Sequence, residues 1–155
     1  MTSSIRHPLA ALHPSVPARA ATLPALLRQR ASEHPDRLAL RHKDRGIWRR
    51  VSWAEYDAQV MHLALFLRAR GLGVGDCVAI VGDGSPGWFF ADLATQSLGG
   101  IAVGIYPTNP WAELQYIVRH CRARVVVCGD QEQVDKVLDA LREEQMANGE
   151  KPRYD

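Results

Sequence analysis

A glycine-rich hexapeptide is the most conspicuous chemical motif of this sequence. Gly82-Asp83-Gly84-Ser85-Pro86-Gly87 satisfies the pattern G-x-G-x-x-G, with which dinucleotide-binding domains cradle a pyrophosphate on backbone amides and a helix N-terminus. Pro86 removes one such amide, and Asp83 adds negative charge beside the anion. The acidic ribose ligand is also missing, because the relevant strand ends in Tyr106-Pro107-Thr108. We interpret the glycines as turn residues, and a small dinucleotide-binding domain remains the weaker alternative.

Other catalytic patterns are absent from the sequence. It contains no G-x-x-x-x-G-K-[ST] loop, no H-E-x-x-H and no G-x-S-x-G. Asp130 follows a predicted strand, but as a helix N-cap it already has a structural role. His120, Cys121 and Cys128 form no paired metal-binding pattern, and Cys77 and Cys128 lie in apolar runs where a thiol packs as a small hydrophobe. The residues alone therefore predict no catalytic residue, no cofactor-binding residue and no metal ligand.

Length and composition fit one globular domain. The 155 residues are 46% hydrophobic and 23% charged, which argues against a disordered chain or a membrane bundle. The net charge is only +2 and the basic residues are scattered along the chain, so nucleic acid is not the favoured partner. Three irregularly spaced cysteines and the lack of a secretion signal indicate a reducing, cytoplasmic compartment. Peripheral contact with a membrane stays open.

Local signals divide the first half of the chain into short elements. Residues 1–21 contain three prolines and read as a flexible leader. Thr22 is placed to cap a first helix, and Leu38–His42 and Ile47–Val51 predict an antiparallel hairpin. Ser52 then opens an S-x-x-E capping box at the start of a second helix.

The second half alternates apolar runs with helical segments. The runs are Cys77–Val81, Ile101–Ile105 and Val125–Cys128. Helices are expected to begin near Pro86, Pro110 and Gln131, capped by Ser85, Asn109 and Asp130. Repeated β-α units predict a mainly parallel sheet flanked by helices, within an α/β unit at 22–144 that also holds the N-terminal helix and the small hairpin. Residues 145–155 are predicted to be a polar tail.

Several segments follow one another in an order typical of one enzyme family. They are Thr22-Leu23-Pro24, Pro35-Asp36-Arg37-Leu38-Ala39, Val51-Ser52-Trp53-Ala54-Glu55-Tyr56, Gly75-Asp76-Cys77-Val78-Ala79-Ile80, 82–88 and 104–108. The series resembles the opening of the AMP-forming acyl-CoA synthetases, in the adenylate-forming superfamily. The segment 130–138 is similar to the long-chain fatty acid branch. The chain departs from the family turn at Gly84, where Asn is usual, and at Gly87, where Glu is usual.

The resemblance implies a ligase that joins a fatty acid or other carboxylate to the α-phosphate of ATP, releases pyrophosphate and passes the acyl group to coenzyme A, with Mg²⁺ assisting. The family's phosphate loop, ribose-binding acid, hinge and catalytic lysine are not found in this sequence. We therefore expect an N-terminal piece that is inactive alone, binds no cofactor alone, and has the remainder of the same polypeptide as its partner. A cut parallel sheet also predicts self-association into a homo-oligomer.

Three residues are predicted to lie near the acyl pocket of the intact enzyme. Ligands of open α/β sheets lie beyond the carboxyl ends of the strands, which are followed here by Trp88, Tyr106 and Thr108. The alternative is that these side chains only cap and pack. A second alternative for the whole chain is a stand-alone interaction module on the same scaffold.

Overall fold

The computed structural model describes residues 22–147, with the side chains of residues 22–142. The predicted leader, 1–21, and residues 148–155 of the predicted tail lie outside the described residues. Within this range the elements are α1 (Leu23–Glu33), β1 (Leu38–Asp44), β2 (Ile47–Ser52), α2 (Trp53–Ala69), β3 (Cys77–Val81), α3 (Pro86–Ser97), β4 (Ile101–Ile105), α4 (Trp111–His120), β5 (Val125–Cys128) and α5 (Gln131–Ala147).

Side-chain caps determine where the first two helices begin. The Thr22 hydroxyl accepts a hydrogen bond from the Ala25 amide at 3.3 Å. The Ser52 hydroxyl accepts from the Glu55 amide at 3.2 Å, and the Glu55 carboxylate accepts from the Ser52 amide at 2.8 Å. This reciprocal pair is the predicted capping box, and it supplies acceptors for two amides that α2 itself cannot pair.

The hairpin is held by a two-residue turn. Asp44 pairs with Ile47 across it, and Arg45 and Gly46 both have positive φ, at 47° and 84°. Two positive φ angles make a type I′ turn, whose twist matches that of the flanking strands. The strands extend slightly beyond their predicted ends.

The three apolar runs form one parallel sheet in the order β4-β3-β5. Cys77 pairs with Ile101 on one side of β3, and Val78 pairs with Val125 on the other. All three strands have the bounds that the sequence predicts. The prediction of a mainly parallel α/β architecture is confirmed.

The sheet divides the core into two layers. Val78 and Ile80 face a cluster built with α1, α2 and α3, which we call the first face. Ala79 and Val81 face Leu114 of α4 and Ala140 of α5, which we call the second face. Strand β3 is therefore covered on both faces, as expected for a central parallel strand.

The start of α4 differs from the prediction. Pro110 is the N-cap, with φ −61° and ψ 156°, so the helix begins at Trp111 and not at Pro110, and Asn109 is not its N-cap. The Asn109 amide instead donates to the Tyr106 carbonyl at 3.1 Å in a preceding turn. The proline ring fixes φ but leaves ψ free, and the extended ψ delays the helix by one residue.

The predicted helix near Pro86 and the predicted strand Ile101–Ile105 are both present, as α3 and β4. No helix in the described part of the chain is long and apolar enough to span a bilayer.

Candidate functional site

The topology places a crevice between β3 and β5. The chain leaves β3 towards α3 on the first face, and leaves β5 towards α5 on the second face. The order β4-β3-β5 makes these two strands neighbours, so their outgoing loops separate over opposite faces. This is the topological switch point, outside which open α/β sheets bind their ligands.

A cleft of about 460 Å³ lies at this point, which we call the β3–β5 cleft. Its walls combine the ends of β3 and β5 with side chains from α2 and α3. They include Gln59, His62, Phe66, Asp83, Trp88, Phe90, Cys128 and Gly129. The lining is mainly apolar, with a few polar groups at the mouth.

Two glycine backbones form the floor between the strands. A Cβ on Gly82 would lie 3.2 Å from the Gly129 Cα, closer than ordinary packing allows. The Gly129 amide also donates to the Val81 carbonyl at 2.8 Å. Gly82 therefore permits close approach of two chain segments, which supports the interpretation of the glycine motif as turn chemistry.

A second cleft of about 430 Å³, the β3–β4 cleft, lies on the other side of the same turn. It is lined by 82–84, Trp88 and 104–107. Trp88 and Tyr106, two of the predicted site residues, therefore share one cleft. The third, Thr108, is exposed and lines neither cleft.

Trp88 is fixed at the wall between the clefts by the start of α3. Ser85 caps the helix, its hydroxyl accepting from the Trp88 amide at 3.3 Å, and Pro86 occupies the first turn. The indole then lies over Gly104 of β4, whose missing side chain makes room for it. Tyr106 is 78% exposed and offers most of its ring to solvent or to a further layer of protein.

The electrostatics of the clefts do not suit a nucleoside triphosphate. Neither lining contains a Lys or Arg, and Asp83 contributes a negative charge to both. Burial, with a smaller contribution from Asp130, raises the pKa of the Cys128 thiol and keeps it neutral. Polyphosphate and Mg²⁺ need cations and grouped oxygen ligands, so the described residues do not by themselves fit these groups.

Sequence reasoning missed one positioning residue, Lys136. Its ammonium donates to the Pro107 carbonyl at 2.5 Å and to the Gln133 side-chain oxygen at 3.1 Å. Gln133 is buried, and its backbone N–H donates to the Asp130 carboxylate. Lys136 thus ties α5 to the loop after β4. The three-residue spacing predicts that Gln133 and Lys136 lie side by side on one helix. Nothing local in the sequence identifies Pro107 as the other partner of Lys136.

Comparison with known proteins gives consistent matches. AMP-binding enzyme is the family that matches residues 27–153. The long-chain-fatty-acid–CoA ligase ACSBG1 of Rattus norvegicus is 39% identical over 100 residues, covering 64% of this chain and 14% of that protein. The Homo sapiens ACSBG1 is 32% identical over 127 residues, covering 82% of this chain and 18% of that protein.

Two solved structures show the same arrangement. The Mycobacterium tuberculosis fatty acyl CoA synthetase superposes with a TM-score of 0.65 at 27% identity, covering 75% of this chain and 22% of that one. The anthranilate CoA ligase AuaEII, in complex with anthranoyl-AMP, superposes with a TM-score of 0.66 at 25% identity, covering 79% and 22%. The chain spans less than a fifth of the length of the curated relatives described above.

Proposed function

Because the chain belongs to the AMP-binding enzyme family, we propose that it forms the N-terminal part of an AMP-forming acyl-CoA ligase. In the proposed reaction a carboxylate oxygen of the substrate bonds to the α-phosphorus of ATP, and pyrophosphate leaves. The thiol sulfur of coenzyme A then bonds to the acyl carbon, the thiol proton is lost, and AMP leaves. The family match over 27–153 is the observation that carries this proposal.

The proposed substrate is a long-chain fatty carboxylate. Two relatives that cover different lengths of this chain are both named long-chain-fatty-acid–CoA ligases. Both clefts at the carboxyl ends of the strands have mainly apolar walls, which suits an acyl chain better than a charged ligand.

Residues 1–155 alone are proposed to be inactive. Adenylyl transfer requires donors and cations aimed at the charge that develops on phosphate, and neither cleft offers a cationic side chain. ATP, coenzyme A and Mg²⁺ would be held by the rest of the polypeptide, which would also cover the free edges of β4 and β5.

Trp88 and Tyr106 are proposed to form part of the acyl-binding wall. They line the same cleft, and the ring of Tyr106 is largely free to contact a ligand. Thr108 is proposed to act at the rim, because it follows the same strand but lies outside the lining. Each of these roles concerns binding of the acyl group and not the chemical step.

The test is ATP–pyrophosphate exchange in the presence of palmitate. The polypeptide as encoded should catalyse exchange that depends on fatty acid, and a recombinant chain of residues 1–155 should not. Exchange by residues 1–155, or its absence from the encoded polypeptide with every fatty acid tried, contradicts the proposal. Thermal stabilisation of residues 1–155 by NAD would instead favour the dinucleotide-binding alternative.

A Trp88→Ala variant of the encoded polypeptide tests the acyl wall. We expect a raised KM for palmitate, an unchanged KM for ATP and an altered preference among acyl-chain lengths. Trp111→Ala is the matched control, because Trp111 is also partly exposed but lies on α4 and lines neither cleft. Equal effects of the two variants would show that Trp88 has no role in acyl binding.

A further inference from the structure

The β1–β2 hairpin concentrates positive charge that is scattered in the rest of the chain. It contains Arg41, Lys43, Arg45, Arg49 and Arg50. Asp44 is its sole acid, which leaves a hairpin net charge of +4, against +2 for all 155 residues. The hairpin is therefore strongly basic, although the whole chain is nearly neutral.

The strand register sorts these charges onto one face. Arg41 pairs with Arg50, and Lys43 pairs with Trp48. Directly paired residues, and residues two apart on a strand, project from the same face of a hairpin. We call this set of four residues, Arg41, Lys43, Trp48 and Arg50, the cationic face.

The cationic face points away from the protein core. Its four residues are exposed, whereas Leu40 and Val51, on the opposite face, pack against the core of the first face. Asp44 also lies opposite and pairs with Arg49 at 3.6 Å. Within the described side chains, no carboxylate forms an ion pair with a cation of the cationic face. Three like charges therefore lie together without neutralisation.

An exposed tryptophan accompanies these charges. Trp48 is 56% exposed on the cationic face, whereas Ile47 pairs with Asp44 and projects from the opposite face. The Arg41 guanidinium lies 4.4 Å from the centre of the Trp48 ring, which holds the indole in a defined position on the surface.

We propose that the cationic face is a docking surface for a membrane containing anionic lipid. Arg and Lys near an anionic leaflet are attracted to its headgroups, and Trp favours the boundary between headgroups and acyl chains. Nucleic acid would attract the same cations, but the Arg41 guanidinium already covers one face of the Trp48 ring, on which a base would stack. The proposal stands without the ligase assignment, because lipid binding is measured without substrate.

Vesicle sedimentation tests the proposal on the polypeptide as encoded. It should bind vesicles of mixed phosphatidylcholine and phosphatidylserine and leave vesicles of phosphatidylcholine alone in the supernatant. The triple variant Arg41→Gln/Lys43→Gln/Arg50→Gln should bind the mixed vesicles about 100-fold more weakly, at about fivefold per cation. Added salt should weaken wild-type binding in the same direction.

The matched control is Arg68→Gln/Arg70→Gln/Arg122→Gln. It changes the net charge equally at three exposed cations outside the hairpin, two of them at the far end of α2. Its vesicle binding should stay close to that of wild type. Equal loss in the two triple variants would mean that net charge, and not the cationic face, attracts lipid, and would overturn the proposal.

Trp48 fluorescence supplies a readout that does not depend on sedimentation. Mixed vesicles should shift wild-type tryptophan emission to shorter wavelength, and the shift should be lost in Trp48→Phe, which keeps an apolar aromatic ring there. A full shift in Trp48→Phe overturns the proposal. The proposal is also overturned if the protein binds an RNA duplex instead of mixed vesicles and the hairpin triple variant loses that binding. Failure to bind either the vesicles or the RNA overturns it as well.

Discussion

The indole of Trp88 lies directly against the backbone of Gly104. A Cβ added to Gly104 would be 3.1 Å from the Trp88 Cζ2, within the range where one of the two must move. A side chain at position 104 would project from the first face of the sheet, into the space that the indole occupies. Because Gly104 has no side chain, Trp88 has room to form the wall between the two clefts.

The contact predicts energetic coupling between these two residues. Gly104→Ala requires a shift of only a few tenths of an ångström, and the half-buried indole has cleft space into which to move. Gly104→Val requires a larger displacement, and we expect it to lower the free energy of unfolding by about 1–3 kcal/mol. Urea denaturation of Gly104→Ala, Gly104→Val and wild type measures the free energies of unfolding.

A double-mutant cycle identifies the cause of that loss. In a Trp88→Ala background, Gly104→Val should cost much less, because the atom that it meets has been removed. Strictly additive costs would show that the loss arises in β4 itself. Gly84→Ala, in the same cleft wall but with nothing within 4 Å of the added Cβ, should change stability by less than about 0.5 kcal/mol.

A second prediction concerns Lys136 and the loop after β4. Lys136→Met removes the donor that joins α5 to the Pro107 carbonyl. We expect a loss of about 1–2 kcal/mol in the free energy of unfolding, together with faster proteolysis near Pro107. Lys43→Met removes an exposed lysine and should have little effect on either measurement. Unchanged proteolysis in Lys136→Met would show that the loop does not depend on this contact.

The parts of the fold that could be predicted are those set by neighbouring residues. The bounds of β3, β4 and β5 follow from uninterrupted apolar runs, and the capping box at Ser52 follows from a four-residue pattern. In both cases the cause lies within a few positions of the effect. The predicted start of α4 was wrong by one residue. A proline at position 110 fixes φ but not ψ, and ψ decides where the helix begins.

The site depends on contacts that no local pattern contains. Gly104 and Trp88 are brought together by the parallel pairing of β3 with β4, and Lys136 reaches Pro107 across 29 positions. The sequence could place Trp88 and Tyr106 at strand ends, but their sharing of one cleft, and the exposure of Thr108 outside it, required the packed sheet. The sorting of hairpin cations onto one face likewise needed the register of β1 and β2.

A third prediction uses Cys128 as a probe of the β3–β5 cleft. In a Cys77→Ser/Cys121→Ser variant, iodoacetamide should alkylate Cys128 with a pH midpoint above the value of about 8.5 for a free thiol, because burial raises the pKa of Cys128. Asp130→Asn removes the nearby charge and retains a residue able to cap α5, so the midpoint should fall. A midpoint at or below that of free cysteine would contradict the partial burial of Cys128.

A fourth prediction concerns the start of α2. Ser52→Ala removes the hydroxyl that accepts from the Glu55 amide, and should lower the free energy of unfolding by about 1 kcal/mol. Ser52→Asp keeps an N-cap acceptor and should restore most of the loss. Urea denaturation of the three proteins measures the difference, and equal stability of Ser52→Ala and wild type would mean that the capping box adds nothing to the fold.

The last prediction concerns stability at high pH. Burial, with a smaller contribution from Asp92, raises the pKa of Tyr56 to about 12, whereas in the unfolded chain it should be about 10. The folded state therefore keeps the phenol proton at pH values where the unfolded state loses it. Since the folded pKa is the higher one, the related stability is complete below about pH 10 and is lost as pH rises towards about 12.

Tyr56→Phe separates this ionisation from other alkaline effects. Phenylalanine cannot ionise, so the stability of wild type should fall more steeply than that of Tyr56→Phe above about pH 10, while the two curves run parallel at neutral pH. Asp92→Asn should reduce the difference, because it removes the charge that opposes the phenolate. Curves that remain parallel through the alkaline range would show that the folded protein does not shield the Tyr56 hydroxyl.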